Sequence, residues 1–181
     1  MDIERTRKLI ELHEGRKSRP YLDSTGHWTI GVGRNISPTG PGFTQAEIVV
    51  LTRNRLDSVR WHPLHQSFCT PYRGLELSEW EIDFLLNNDL ARVSNELARH
   101  LPFFAALEEP RQAVLIDMGF NMGIPILMGF TQTLPAIARR EFHTANLFML
   151  RSKWADQVGK KPGQRAWRDA EMMLRGEWVD V

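Results

Sequence analysis

Between Pro20 and Gly33 the residues alternate, whereas most of the remaining chain repeats its apolar residues at helical spacing. Tyr21-Leu22-Asp23, then Ser24-Thr25-Gly26, then His27-Trp28-Thr29-Ile30-Gly31-Val32-Gly33 reads as a β-hairpin closed by a short turn. Alternation puts Trp28, Ile30 and Val32 on one face, with Trp28 in the hairpin core, and Thr29, Gly31 and Gly33 on the other. Ahead of the hairpin, residues 2–14 predict a helix with Ile3, Leu9, Ile10 and Leu12 apolar and Gly15 as its C-terminal cap. Behind it, Ser37 to Gly42 is a loop by composition, and no Gly-Lys-Ser/Thr follows to make it a phosphate-binding one. Helices then dominate. Thr44 with Glu47 is a capping box opening a helix to about residue 60, and Ser78 with Glu81 opens another to about residue 100. The second, carrying Phe84, Leu85, Leu86, Leu90, Val93 and Leu97, would be about 30 Å long or more, enough to bridge two lobes. Further helices are expected near 110–122, 133–141, 142–154 and 164–175, with Pro110 in a first turn and Gly176 as a cap.

The chain has 181 residues, 42% hydrophobic and 25% charged, which excludes a disordered chain and allows one domain or two small lobes sharing a helix. Cys69 stands alone, so no internal disulfide forms. Neither a signal peptide nor a bilayer-spanning stretch is present, so the expectation is a soluble cytoplasmic product without stable membrane insertion. The net charge of +1 hides a division. From Arg139 to Arg168 eight Lys or Arg face Glu141 and Asp156, while from Leu75 to Asp117 nine Asp or Glu face three Arg. A basic end suits an anionic polymer such as bacterial wall or nucleic acid, and the plainer reading is a set of solvated helix faces.

The residues that carry chemistry cluster early. Glu14 ends the first helix, where backbone carbonyls present negative charge and where Lys, Arg or His would suit a purely structural position better. A carboxyl so placed suits the general acid of glycoside hydrolysis. With the turn at Ser24-Thr25-Gly26, Asp23 pairs across from His27 and Thr29 is its diagonal neighbour on the same face. A carboxylate beside a hydroxyl can hold and polarise a water, the base-side half of that reaction. The competing reading of each is plain: a Glu ending a helix and an Asp starting a turn.

Glu14-Gly15, then Tyr21-x-Asp23, then Gly26-x-x-Thr29-Ile30-Gly31-x-Gly33 resembles the catalytic signature of the phage-type lysozymes, the endolysins of glycoside hydrolase family 24. Phe120-Asn121-Met122-Gly123 followed by Phe130-Thr131-Gln132-Thr133-Leu134 is a second match, and Arg151-Ser152-Lys153-Trp154 with Gln164-Arg165-Ala166 a third. The resemblance implies a lysozyme-like α+β fold, predominantly helical. A small N-terminal β-hairpin lobe (about 15–75) would be joined by the long helix (about 78–100) to a larger helical lobe (about 101–181 plus helix 2–14), with the active site in the cleft between them. It also implies cleavage of the β-1,4 bond between N-acetylmuramic acid and N-acetylglucosamine in peptidoglycan. Glu14 would be the acid, Asp23 the water-activating carboxylate and Thr29 its partner, with Asn121, Ser152 and Gln157 as substrate-binding residues. No cofactor or metal is implied. The protein would be a monomer, would not bind nucleic acid, and would reach the wall to lyse the host after a separate holin releases it. Arg34 departs from the His found after Gly-x-Gly in some relatives, so any ion pair at that turn must differ here. The segment 38–75 is longer than in small members.

Three other readings compete. His62-Pro63-Leu64-His65 with Cys69 resembles half a zinc site, as in wall-lytic amidases, but no second ligand cluster accompanies it. A non-catalytic binding module would use residues 142–175, with Trp154 and Trp167, as a basic aromatic face. Against this, Phe142, Leu147, Phe148, Leu150 and Trp154 fall at the helical spacing of a core, and the module leaves Glu14, Asp23 and Thr29 unexplained. A lytic transglycosylase needs one catalytic Glu, so the pairing of Asp23 with Thr29 speaks against it.

Overall fold

The computed structural model describes residues 2–23, 25–38, 40–53 and 75–180. These fall into two units, one of 14–88 and one of 1–13 with 89–181.

The smaller unit is built on a three-stranded antiparallel sheet in the order β1 (Lys17–Leu22), β2 (Trp28–Gly31), β3 (Arg34–Asn35). The expected hairpin is therefore present with a third strand added. β3 is two residues long and carries no alternation that a sequence pattern could reveal. Tyr21 pairs with Thr29 and Leu22 with Trp28, and the register shifts between Lys17 and Tyr21. Ile30, Val32 and Ile36 are buried with Leu77, Ile82, Leu85 and Leu86 of the segment leading into and along α3 (Glu79–His100). Trp28 is only half-buried. Arg16 fastens β1 to the start of α3 by donating to Glu79 (2.7 Å) and Asp83 (2.8 Å).

Both capping boxes form. Thr44 and Glu47 exchange bonds of 2.8 and 3.2 Å at the head of α2 (Gln45–Arg53), and Ser78 and Glu81 exchange bonds of 2.7 and 3.3 Å at the head of α3. Residues 54–60 of the expected α2 lie outside the described residues. Glu47 has a second task. Arg34 grips it through both guanidinium nitrogens (2.9 and 2.8 Å) and donates through Nε to the Gly42 carbonyl, while the Asn88 amide donates to the same carboxylate at 2.9 Å. Both side chains of this pair are buried, and the planar fork matches the carboxylate. A histidine could not make that fork. Burial opposes ionisation of Glu47, but the bonds from Asn88, Thr44 and Arg34 outweigh it and hold the carboxyl below its ordinary range.

The larger unit packs α1 (Ile3–Glu14, up to His13) and the second half of α3 with α4 (Glu109–Met122), α5 (Ile124–Met128), α6 (Thr133–Ala138), α7 (Phe142–Leu150), α8 (Lys153–Val158) and α9 (Arg165–Arg175). α4 is its centre, buried from Ala113 through Gly119, so apart from Arg111 and Asp117 its buried residues are apolar around the helix rather than on one stripe. Pro110 sits in its first turn, and Gly176 at φ 71 ends α9 as expected. The helix expected over 142–154 is two helices. Ser152 caps the second, accepting from Ala155 N–H at 3.1 Å and donating to the Met149 carbonyl at 2.7 Å. α5 was not foreseen, and Leu147, expected in the core, is 39% exposed.

Candidate active site

Glu14 is the last residue of α1, and Gly15, at φ 73, turns the chain out of the helix. The Glu14 side chain lies against the turn between β2 and β3. A Cβ on Gly33 would stand 3.0 Å from its Oε2 and 3.2 Å from its Cβ and Cγ. Gly33 also has φ 65, so two separate constraints require glycine there. Tyr21 on β1 links the carboxylates. Its phenol is pushed above its usual range first by burial and then by the negative charges of both Glu14 and Asp23.

Asp23 follows β1 and continues its register, with its N–H on the His27 carbonyl at 2.9 Å. Its Oδ1 accepts from Thr25 N–H, Thr25 Oγ1 and His27 N–H, each at 2.8 Å. Partial burial opposes the charge, but the His27 and Thr25 bonds outweigh it and hold this carboxyl below the ordinary aspartate range. Asp23 is therefore a carboxylate at neutral pH, the state a base needs. Its side chain is 32% exposed, so water can reach it.

Thr29 stands on β2 opposite Tyr21 and diagonal to Asp23. It is buried, and its hydroxyl donates to the His27 carbonyl at 3.2 Å, leaving its oxygen as an acceptor. All three expected catalytic residues thus belong to the smaller unit.

The three expected substrate-binding residues belong to the larger unit. Ser152 and Gln157 line a trough of about 740 Å³ together with Phe130, Arg151, Lys153 and Trp154. Asn121, which is exposed, is tied to this wall by accepting from Trp154 Nε1 at 2.9 Å. Phe130 meets Trp154 edge-on, with centroids 6.5 Å apart. The aromatic wall was not assigned from the sequence, although its two residues sit in the second and third matching motifs. The Ser152 hydroxyl is already engaged at the head of α8, which leaves it a lining role.

The basic stretch is divided between paired surface residues and buried ones. Arg139 pairs with Glu141, Arg140 with Glu108 and Lys160 with Asp156. Arg165 and Arg168 are buried in a cluster with His13, Asp117 and Asp169. Of the eight basic residues of this stretch, Arg165 and Arg168 are therefore core rather than surface. His13, Asp117 and Asp169 bring donor atoms within 4.8 Å of one another, yet the two guanidiniums already hold Asp117 and His13 and oppose a cation there. His62, His65 and Cys69 lie outside the described residues.

Comparison with known sequences places this geometry. The phage lysozyme family model matches residues 11–171. "Probable T4-type lysozyme 1" of Dictyostelium discoideum is 26% identical over 151 residues, covering 83% of this chain and 84% of that protein. "Probable T4-type lysozyme 2" of the same organism is 22% identical over 156 residues, covering 84% and 86% respectively. The match takes in the end of α1, the sheet and most of the helical bundle, and the chain belongs to the phage lysozyme family.

Proposed function

We propose that the chain is a muramidase that hydrolyses the β-1,4 bond between N-acetylmuramic acid and N-acetylglucosamine in bacterial peptidoglycan, with inversion at the anomeric carbon. Glu14 protonates the glycosidic oxygen as the bond breaks. Asp23 takes a proton from a water that attacks the opposite face of the sugar, and Thr29 helps to hold that water. What carries this reading is Asp23, an ionised carboxylate accessible to water, with the Thr29 oxygen diagonal to it across the β1–β2 register. The trough lined by Phe130, Ser152 and Gln157 serves as a polymer-binding surface, with the buried Trp154 beneath Phe130 and polar groups to take amides. In its biological setting the protein acts on the wall of a host after a separate pore-forming protein releases it from the cytoplasm.

Stereochemistry tests the mechanism. A retaining enzyme uses its second carboxylate as the nucleophile, with the pair about 5 to 5.5 Å apart, whereas inversion needs room for a water and a separation of roughly 6.5 to 9.5 Å. A hydroxyl such as that of Thr29 has a role only in the second scheme. Freshly cleaved peptidoglycan should show α-configured muramic ends by NMR before mutarotation. Thr29→Val, which keeps shape and removes the hydroxyl, should lose much of the activity and stay folded by circular dichroism. Retained β product would refute inversion, and 1,6-anhydro ends would establish a lytic transglycosylase instead.

A further inference from the structure

We propose that Thr25 and His27 are positioning residues for Asp23, committing its Oδ1 to the turn and leaving Oδ2 as the oxygen that takes the proton from the attacking water. The proposal rests on Asp23 acting as the base. Three donors converge on Oδ1, namely Thr25 N–H, the Thr25 hydroxyl and His27 N–H, each at 2.8 Å. A carboxylate only accepts, so the single hydroxyl proton of Thr25 is spent on Asp23. The Thr25 oxygen then accepts from His27 Nδ1–H at 2.7 Å, which fixes both the hydroxyl rotor and the imidazole tautomer. The chain of bonds runs from ring to hydroxyl to carboxylate, and it prevents the carboxylate from rotating. His27 Nδ1 stands 3.9 Å from Oδ2, beyond hydrogen-bond range. The charged or titratable groups facing Asp23 are His27 across the turn and Tyr21 on β1. The Thr25 hydroxyl bond also helps to keep the carboxyl below its ordinary range.

Removing the hydroxyl should therefore make the base harder to ionise and, because the carboxylate is held by fewer bonds, lower kcat even where it is ionised. For Thr25→Val, the acid limb of the kcat/KM profile on purified peptidoglycan should move to higher pH. The ¹³C titration midpoint of the Asp23 carboxyl should move with it, while KM stays unchanged. Thr25→Ser should restore both. An unmoved carboxyl midpoint in a folded Thr25→Val protein overturns the proposal. Should that variant not fold, His27→Phe removes the ring donor, and its carboxyl midpoint must move in the same direction or the proposal fails. Asp23→Asn separates the two levels. If it stays active, Asp23 is not the base. If it is inactive while the Thr25→Val midpoint is unmoved, only the positioning role is lost.

Discussion

Glutamine in place of Glu14 should leave a folded protein whose rate on peptidoglycan has fallen by about 10² to 10⁴, the usual contribution of a general acid. Glutamine has the same length and branching, so it fits against Gly33 as glutamate does, and the Cβ and Cγ contacts there are unchanged. What it lacks is a proton to give to the leaving oxygen. Binding of the polymer should persist, so the loss belongs in kcat rather than in KM. A turbidity assay on permeabilised cells, paired with a pull-down on purified wall, reads the two separately. Near-normal lysis by Glu14→Gln would remove Glu14 from the mechanism.

Asparagine in place of Asp117 should cost about 3–5 kcal/mol of stability, the penalty for stripping one partner from a buried ion pair. Asp117 is fully buried in α4, and its oxygens accept from Arg165 Nε and Nη2 at 2.8 and 2.9 Å and meet His13 Nδ1 at 3.1 Å. An asparagine removes the carboxylate that the Arg165 guanidinium holds through two bonds, in a buried cluster that also contains Arg168 and Asp169. For a chain of this size such a cost corresponds to a fall of about 6 to 20 °C in Tm. An unchanged Tm by calorimetry would show that this cluster contributes nothing. The same cluster fixes a pH dependence with two signs. Burial opposes the Asp117 charge, but Arg165 and His13 outweigh burial and lower its folded pKa. Its contribution is therefore present above the unfolded value, about 3.9, and is lost as pH falls through the folded one. Asp169 behaves oppositely, since burial, and after it the charge and hydrogen bond of Asp117, raise its folded pKa well above normal. Its contribution is full below the unfolded value and is lost as pH rises through the folded one. Asp169→Asn should flatten the upper side of the curve and leave the acid side in place.

Local signals were legible in the sequence because they act over a few residues. The Thr44–Glu47 and Ser78–Glu81 boxes, Pro110 at a first turn, and Gly15 and Gly176 as caps all stand as read. The break between α7 and α8 was missed because apolar spacing runs on from Phe142 to Trp154. Only the cap made by Ser152 interrupts it. The Arg34–Glu47 fork and the His13–Asp117–Arg165–Arg168 cluster join residues far apart in sequence, and no local pattern can pair them. For that reason Arg165 and Arg168 counted as surface charge until packing buried them. At the site, the order of Glu14, Asp23 and Thr29 was legible as a spacing. The Thr25 and His27 side chains were not, since a threonine and a histidine in a turn announce nothing until the turn is closed.

The contact between Gly33 and Glu14 ties the fate of one codon to another. At position 33 a methyl group meets the Glu14 side chain itself, and the backbone conformation gives no alternative place to put it. On the proposed mechanism, selection for bond cleavage acts on position 33 as though that position were catalytic, although a glycine has no group to offer the reaction. In a library of variants sorted for proteins that fold but do not lyse, substitutions at position 33 belong in the same bin as those at positions 14, 23 and 29.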